Sequence, residues 1–369
     1  MNNLITSQKE AVFLLGLILG FLILFFFQPT DSKNQKFEEL ALGNENTPFF
    51  AENNGHKIHC QDFFDIANCL KDIYQIDKNN DIYLWLGNSQ LHAINQYKSG
   101  QNSASLKLHK KLIKNNKYLI TFSQPNANLQ EHYVLFSYLV NKFNIEKLIL
   151  PVVFDDMRED EIRQSLKGVF TDKETEELLS KSDFGKRIIN FYRHEYSSTN
   201  NDYVSIQENS ENFLESFFSS NFKLWEDRPI LRGQLFNFLY QFRNWLFNIN
   251  PTSTRKMILP RYKKNFEALL SILDLAKSKH IEPILYIAPI RSDLKLPYNL
   301  NEYNSFKKEL FSLSTKHNFE LHNLESLIPP EYWGTKDATS IKKKKEIDFM
   351  HFQESGHKVL ANKIFKVLN

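Results

Sequence analysis

Two short blocks near opposite ends of the chain contain the residue types that nucleophilic catalysis requires. Gly87-Asn88-Ser89 follows a short apolar run, so the serine hydroxyl would stand at the end of a buried strand. Asp348 lies three residues before His351, where its carboxylate can accept the Nδ1 proton while Nε2 faces a serine. Either block alone is weak, because serines often cap helices and Asp and His are common in loops. Together they predict Ser89 as nucleophile, His351 as general base and then acid, and Asp348 as the orienting carboxylate.

Acyl chemistry also needs hydrogen-bond donors for the oxyanion of the tetrahedral intermediate. The backbone N–H of Ser89 is the first predicted donor, because it would open a helix at the strand end. The side-chain amide of Asn128 or Asn126 is the predicted second donor, and the alternative for either is an N-cap ahead of Leu129. No metal site and no cofactor are predicted, since no histidine or cysteine stands at a ligand spacing with other candidate ligands.

Other polar residues near these blocks have weaker predictions. His357 follows the Asp348–His351 block at the start of a helix and is predicted to be structural. His92 and His132 are expected at the rim of the site. After the third predicted strand, either a structural ion pair or a substrate contact is expected from Asp155, Asp156 and Arg158.

Alternating strands and helices must position these blocks. Short apolar runs predict buried strands, and the segments between them predict helices: strands at 81–86, 117–122, 147–154 and 282–288, and helices at 90–97, 129–143, 266–280 and through 368. Buried strands that alternate with helices are typical of a parallel sheet covered on both faces. Reactive groups in such sheets lie at the carboxyl ends of the strands, where 87–89 and 125–128 are expected. The prediction is a three-layer α/β/α fold.

A helical insertion is predicted at about 157–250. Aromatic residues recur there at helical spacing between Phe213 and Leu246, and most of these rings are expected in the core. The alternative is a lid or a face for a membrane partner. The lysine run 342–345 predicts a solvated loop, or else a contact with anionic lipid or polymer.

The N-terminus predicts a membrane anchor within residues 1–28. Residues 11–27 are 17 consecutive apolar or glycine residues. At about 1.5 Å per residue, this length is near the lower limit for a bilayer core of about 30 Å. A cleaved signal peptide is the alternative, although residues 25–28 offer no small-x-small cleavage site. The balanced flanking charges do not fix the orientation.

Three further features concern the part of the chain beyond the anchor. The polar residues 29–55 predict a tether, which places the start of the globular domain at residue 56 and its end at 369. Cys60 and Cys69 predict either a disulfide of an exported domain or two reduced thiols. The net charge of +3 is spread along the 369 residues, so no nucleic-acid partner is expected.

The order and separation of the two catalytic blocks resemble the SGNH/GDSL hydrolases over roughly residues 80–369. A Gly-x-Ser block follows a strand, and the Asp348–His351 block precedes Gly356-His357 and a closing helix. Asn88 stands where the GDSL block has Asp, which is not the triad acid. The family's other oxyanion blocks, a Gly after the second strand and a Gly-x-Asn-Asp after the third, have no clean match. The resemblance implies an SGNH-like α/β fold and the triad named above.

The anchor and the helical insertion make the layout similar to the DltD-like acyl-transfer proteins, which work beside membrane-bound O-acyltransferases. This resemblance implies acyl transfer onto, or ester hydrolysis from, a cell-envelope glycan or polymer through an acyl-Ser89 intermediate. The domain would lie on the outer side of the cytoplasmic membrane. The alternative is a catalytically inactive SGNH-like scaffold that binds a glycan or docks to a membrane-bound O-acyltransferase.

Overall fold

The computed structural model describes residue 16 and residues 45–61, 65–66, 69, 81–199, 228–337 and 345–369. The strands are β1 Asn46–Pro48, β2 Glu52–Asn53, β3 His56–Lys57, β4 His59–Cys60, β5 Asp81–Gly87, β6 Ala93–Asn95, β7 Lys117–Ser123, β8 Ile145–Val152, β9 Glu282–Ile287, β10 Glu320–Asn323, β11 Trp333–Asp337 and β12 Lys345–Phe352. The α-helices are α1 Ser89–His92, α2 Ala104–Leu112, α3 Leu129–Leu139, α4 Lys173–Leu179, α5 Asp183–Thr199, α6 Arg228–Leu246, α7 Leu259–Ser278, α8 Leu300–His317 and α9 Glu354–Leu368. Short 3-10 helices occur at Ile113–Asn115, Asp156–Arg158, Gln164–Thr171 and Pro330–Tyr332.

The largest sheet has the strand order β10-β9-β8-β5-β7-β4, and every neighbouring pair in it is parallel. The four predicted strands are its four central members, with ends within two residues of those expected. The two edge strands, β4 and β10, were not predicted. They have two and four residues, which is too short for a recognisable apolar run.

Both faces of this sheet are buried, as the uninterrupted apolar strands require. Along β5, Leu84 and Leu86 lie in a core shared with α3, α7 and α8, whereas Tyr83 and Trp85 lie in a second core with α2 and α9. Successive side chains of a strand point to opposite faces, so one apolar run supplies both cores. The α/β/α layering predicted from the sequence is therefore confirmed.

The predicted tether boundary at residue 55 is wrong for residues 45–55. Strand β1 pairs antiparallel with β6, β2 and β3 form a small hairpin, and Ala51 is fully buried. The boundary was predicted from polar composition, and a polar residue such as Asn46 is expected in solvent. In the structure Asn46 is buried and hydrogen-bonded instead. Residues 29–44 lie outside the described residues.

The segment after Gly87 also differs from its prediction. The helix expected at 90–97 ends at His92, and residues 93–95 form β6 instead. This exchange occurs because β1 offers a pairing partner: Asn46, Thr47 and Pro48 lie opposite Asn95, Ile94 and Ala93. The helix that follows the nucleophile is therefore a single turn.

Between β8 and α7 the described residues are largely helical. The 3-10 helix Gln164–Thr171, α4 and the first turns of α5 contribute Leu166, Leu179 and Ile188 to the core beside α3. The chain divides into two compact units, and residues 228–249 belong to the unit that does not contain the sheet. Within α6, the expectation of a core position is wrong for several residues that are at least one-third exposed: Phe236, Phe238, Leu239, Phe242, Trp245 and Leu246.

Cys60 and Cys69 form a disulfide, which resolves the two alternatives for this pair. The apolar run 11–27 lies outside the described residues apart from Gly16, and the predicted anchor remains a prediction. Within the described ranges, no helix combines the length and the apolar content needed to cross a bilayer.

Candidate active site

Ser89 lies at the carboxyl end of the central strand β5, as the first residue of α1. Asn88 is the N-cap of this helix, and its Oδ1 accepts a hydrogen bond from the Gln90 N–H at 3.0 Å. Gly87 is required at the strand end, because a Cβ there would collide with the side chain of Leu91. The turn therefore brings Ser89 out at the edge of the sheet where reactive groups collect in parallel folds.

The structure brings Ser89 into contact with His351, which is 262 residues away in the chain, and His351 into contact with Asp348. Ser89 Oγ lies 2.8 Å from His351 Nε2. His351 Nδ1 lies 2.9 Å from Asp348 Oδ2. The other carboxylate oxygen, Oδ1, accepts the backbone N–H of Met350 at 2.9 Å and that of His351 at 3.0 Å. The predicted residues thus form a continuous hydrogen-bonded chain from the serine to the carboxylate.

The carboxylate of Asp348 is held in its ionised form. Burial alone would raise its pKa, but the charge and hydrogen bond of His351, with Lys336 and the Met350 N–H, hold the pKa below its usual value. An ionised carboxylate only accepts hydrogen bonds, so the proton in the 2.9 Å contact belongs to His351 Nδ1. In neutral His351, Nε2 is then the acceptor that faces the Ser89 hydroxyl.

Gln90 connects the Ser89 turn to the strand of His351, and no sequence pattern indicated this role. Its Nε2 donates to the carbonyl oxygens of Pro289 and Met350, each at 2.9 Å. One side chain therefore connects the helix of Ser89 to the strand of His351 and to the loop after β9.

Asn46 and Asn95 are the other contacts of the site that sequence reasoning missed. The Nδ2 of Asn46 donates to Asp348 Oδ2 at 2.9 Å, and the Nδ2 of Asn95 lies 3.5 Å from the same oxygen. Both asparagines are buried. No sequence pattern links residues 46 and 95 to residue 348, because strand pairing alone brings them together.

Of the two amides predicted as oxyanion donors, Asn128 has a different role. Its Oδ1 accepts the Glu131 N–H at 3.0 Å, and its Nδ2 donates to the Glu161 carbonyl at 2.9 Å. Its Oδ1 caps α3 and its Nδ2 is engaged by Glu161, so the N-cap alternative is correct for Asn128. Asn126 is exposed, with a φ of 53°, and remains a predicted donor. The backbone N–H of Ser89 opens α1, as predicted.

Two neighbouring aspartates follow β8 and lie in different surroundings. Asp155 pairs with Arg158 at 3.2 Å and with Arg255, and it accepts the Tyr298 hydroxyl at 3.0 Å. Of the two alternatives for Asp155 and Arg158, the structure therefore contains the ion pair. Asp156 accepts the Nδ2 of Asn88 at 2.8 Å instead. Burial raises the pKa of Asp156 well above its usual value, against the Asn88 hydrogen bond, so its neutral form is favoured.

His357 is structural, as predicted. Its Nδ1 accepts the Ala104 N–H at 3.1 Å, which places the ring proton on Nε2, 3.2 Å from the Ala93 carbonyl oxygen. Burial lowers the pKa of His357 to about 3, so the ring is neutral.

His92 and His132 are buried, and the prediction that they line the rim is wrong. His92 Nδ1 lies 2.8 Å from the Ser123 hydroxyl, and His59 Nε2 lies 2.6 Å from the same oxygen. Burial lowers the pKa of His59 and of His132 to about 3, and that of His92 well below its usual value. These rings form the neutral polar interior beside the catalytic turn.

One grouping of possible metal ligands occurs in the described part of the chain. Cys60, Asp65 and Cys69 lie with their ligand atoms within 4.8 Å of one another. Because the two sulfurs are joined in the disulfide, they do not offer the thiolates that a metal such as zinc binds.

No protein-family model and no curated protein matches this chain. Among solved structures, the chain is similar to a Bacteroides fragilis protein described as an acylhydrolase, at 12% identity and a TM-score of 0.39, over 84% of this chain and 97% of that one. A Desulfitobacterium hafniense protein described as lipolytic and of the G-D-S-L family has 10% identity and a TM-score of 0.36, over 78% and 99%. A GDSL-like lipase of Bacteroides thetaiotaomicron has 10% identity and a TM-score of 0.35, over 80% and 92%. With TM-scores below 0.5, these similarities carry no weight for the function of this chain.

Proposed function

We propose that this protein is a serine esterase or acyltransferase of SGNH type that works through an acyl-Ser89 intermediate. The observation that carries the proposal is the hydrogen-bonded chain from Ser89 Oγ through His351 to Asp348, with links of 2.8 and 2.9 Å. A nucleophile, a base in contact with it and a carboxylate that orients the base are the three groups that covalent acyl transfer requires.

The reaction follows from the hydrogen-bond directions in the site. Ser89 Oγ attacks the acyl carbonyl carbon while His351 Nε2 accepts the hydroxyl proton. The ester C–O bond then breaks, and the departing alkoxide takes that proton from His351. An acceptor hydroxyl or water next attacks acyl-Ser89 and gives its own proton to His351, and Ser89 regains a proton as it leaves. The ionised Asp348 stabilises the imidazolium that forms in each half-reaction.

The acceptor that we propose is a cell-envelope glycan or polymer on the outer side of the cytoplasmic membrane. The apolar run at 11–27 supports an anchored, single-pass arrangement, and the layout similar to DltD-like proteins supports a membrane-bound O-acyltransferase as partner. The disulfide between Cys60 and Cys69 is compatible with an exported domain. The net charge is weakly positive and spread along the chain, so it does not support a nucleic-acid partner.

A second candidate function is a catalytically inactive scaffold that binds a glycan or docks to a membrane-bound O-acyltransferase. One observation favours it: Asn128, a predicted oxyanion donor, caps α3 with its Oδ1 and donates its Nδ2 to the Glu161 carbonyl. The loss of one such donor typically costs about 2.7–4 kcal/mol of transition-state stabilisation. An intact triad that lacks one of its oxyanion donors would react more slowly.

Covalent labelling distinguishes the two candidates. The full-length chain in detergent is treated with a fluorophosphonate probe and analysed by intact mass, next to Ser89→Ala and His351→Ala. We expect one adduct on the wild type, none on Ser89→Ala, and labelling of His351→Ala slowed by at least about a hundredfold, because the base is lost. The matched control is Ser103→Ala, a buried serine outside the catalytic chain, which should label like the wild type. A folded wild type without an adduct would favour the scaffold.

A further inference from the structure

Two asparagine amides converge on the oxygen of Asp348 that faces His351. Asn46 Nδ2 donates to Oδ2 at 2.9 Å, and Asn95 Nδ2 lies 3.5 Å from it. The opposite oxygen, Oδ1, takes the backbone N–H groups of Met350 and His351. A carboxylate has about four lone-pair sites, and four donors fill them: Asn46 Nδ2 and His351 Nδ1 on Oδ2, and the two backbone N–H groups on Oδ1.

The asparagine pair is itself fixed from several directions. Asn95 Nδ2 donates to Asn46 Oδ1 at 2.9 Å and to the Thr335 carbonyl at 2.8 Å. Asn46 and Asn95 are also direct partners in the β1–β6 ladder. Gly334 leaves space for the amide of Asn95, because a Cβ at that position would collide with the amide oxygen. The amides therefore have one arrangement, which is set by β1, β6 and β11 together.

We propose that Asn46 is a positioning residue that fixes the direction of the Asp348 carboxylate toward His351 Nδ1, that Asn95 acts through it by holding the Asn46 amide in place, and that β1 is thereby a component of the active site. This inference rests on the proposed function, since it assigns a role in the same triad. If Asn46 orients Asp348, the activity depends on the pairing of the segment 45–48 with β6. That segment continues the stretch which the sequence predicts to connect the domain to the membrane.

The physical reason is that a carboxylate at the end of a two-bond side chain can rotate, and only one orientation presents Oδ2 to the imidazole. Donors on both oxygens restrict that rotation, and a misplacement of catalytic groups by about 1 Å can cost about a hundredfold in rate. The charged groups that act on Asp348 are His351 from the same strand and Lys336 from β11. Asn46 supplies a hydrogen bond to Asp348 without adding a charge, and Asn95 supplies one to Asn46.

The test compares Asn46→Ala, Asn46→Asp and Thr47→Asp in the full-length chain in detergent. Thr47 is the next residue of the same strand and is exposed, so Thr47→Asp controls for strand docking and for the added charge. Two quantities are measured against pH: the rate of fluorophosphonate labelling and the pKa of His351 by histidine NMR. Near-ultraviolet circular dichroism checks that each variant is folded.

We expect Asn46→Ala to lower the labelling rate about ten- to a hundredfold, the range that corresponds to a lost hydrogen bond to a charged group. In Asn46→Asp, a second carboxylate beside Asp348 favours the protonated form of His351. Labelling needs the neutral imidazole, so the acid limb of the profile should move to higher pH. A purely structural role of Asn46 would not move this limb. Thr47→Asp should match the wild type.

Two results would overturn the inference. One is a folded Asn46→Ala that labels within twofold of the wild type while Asn46→Asp leaves the pKa of His351 unchanged. The other is a Thr47→Asp variant that loses as much rate as Asn46→Asp, which would assign the effect to strand docking. If the wild type takes no adduct, the proposed function fails, but the NMR titration of His351 in Asn46→Asp still decides the positioning role.

Discussion

The aspartates that follow β8 show how burial determines what a carboxyl group does at the residue scale. Asp155 forms ion pairs with Arg158 and Arg255 and accepts a hydrogen bond from the Tyr298 hydroxyl. Asp156 has the neutral amide of Asn88 as its hydrogen-bond partner and is almost fully buried. Desolvation of a carboxylate is costly, so burial raises the pKa of Asp156 and favours its neutral form.

Asp156→Asn should therefore stabilise the protein at alkaline pH. The folded-state pKa of Asp156 is raised, so the folded state holds a proton that the unfolded state releases, and stability is lost as pH rises above the unfolded pKa of about 4. An asparagine keeps an acceptor for Asn88 and has no proton to lose. We expect its melting temperature to exceed that of the wild type at pH 8.5, measured by circular dichroism, and the difference to become smaller as pH falls toward 5.

Asp155→Asn is the matched control, because it removes a carboxylate that is paired with arginine. It should lower the melting temperature at pH 8.5, the opposite direction to Asp156→Asn. If Asp156→Asn is less stable than the wild type across the whole pH range, the assignment of a neutral Asp156 is wrong.

At the scale of elements, the least supported member of the parallel sheet is its edge strand β4. This strand has two residues, and its ladder to β7 contains only the pairs His59–Thr121 and Cys60–Phe122. Short ladders contribute little on their own. The disulfide from Cys60 to Cys69 fixes the end of β4 to the segment that follows it, and His59 on the same strand reaches Ser123 at the end of β7.

Removal of the disulfide should destabilise the domain in proportion to the loop that it closes. For a sequence separation of 9 residues, loop-closure entropy gives about 2.5 kcal/mol. We expect the double variant Cys60→Ser with Cys69→Ser to have a lower free energy of unfolding by about that amount, measured by urea denaturation. A reducing agent should lower the stability of the wild type similarly and leave the double variant unchanged. Equal sensitivity of both proteins to the reducing agent would contradict this prediction.

At the scale of the whole molecule, the interior between the sheet and its helices contains several neutral histidines. His59, His132 and His357 come from three different segments, and burial lowers the pKa of each to about 3. Each ring enters the core as an uncharged group, and protonation requires either its exposure or a buried charge without compensation.

The domain should therefore lose stability in mild acid. The folded pKa of these histidines lies below the unfolded value of about 6.5, so their contribution is complete above pH 6.5 and is lost as pH falls toward 3. The loss is on the order of 3 kcal/mol per histidine by pH 4, so the sum over the three histidines is comparable to a typical total stability. We expect cooperative unfolding between about pH 5 and pH 4, followed by near-ultraviolet circular dichroism.

A histidine substitution tests the origin of this acid transition. His357→Gln removes one of the buried titrating rings, so its melting temperature should fall less steeply between pH 6.5 and pH 5 than that of the wild type, although the variant is less stable at neutral pH. His317→Gln, on α8 and only half-buried, should leave the slope unchanged. Equal slopes in all three proteins would assign the acid transition to other groups.

The sequence by itself determined the layers of the fold and the residues of the candidate triad. Apolar runs of strand length fix β5, β7, β8 and β9 locally, because a strand buried on both faces has no polar positions. Ser89, His351 and Asp348 were identifiable because the residues of each block that could react lie within a few positions of one another. The separation of the blocks did not matter, since the carboxyl ends of parallel strands meet at one edge of a sheet.

Only the tertiary structure decided which groups support that chemistry. Asn46 and Asn95 reach Asp348 through the pairing of β1 with β6, and Gln90 joins α1 to distant carbonyls, none of which leaves a periodic signal. The Nδ2 of Asn128 donates to the carbonyl of Glu161, and the sequence alone could not predict this contact. Asparagine and glutamine form equally good hydrogen bonds with water and with the protein. From the sequence they are therefore expected at the surface, and only the tertiary structure shows which of them are buried.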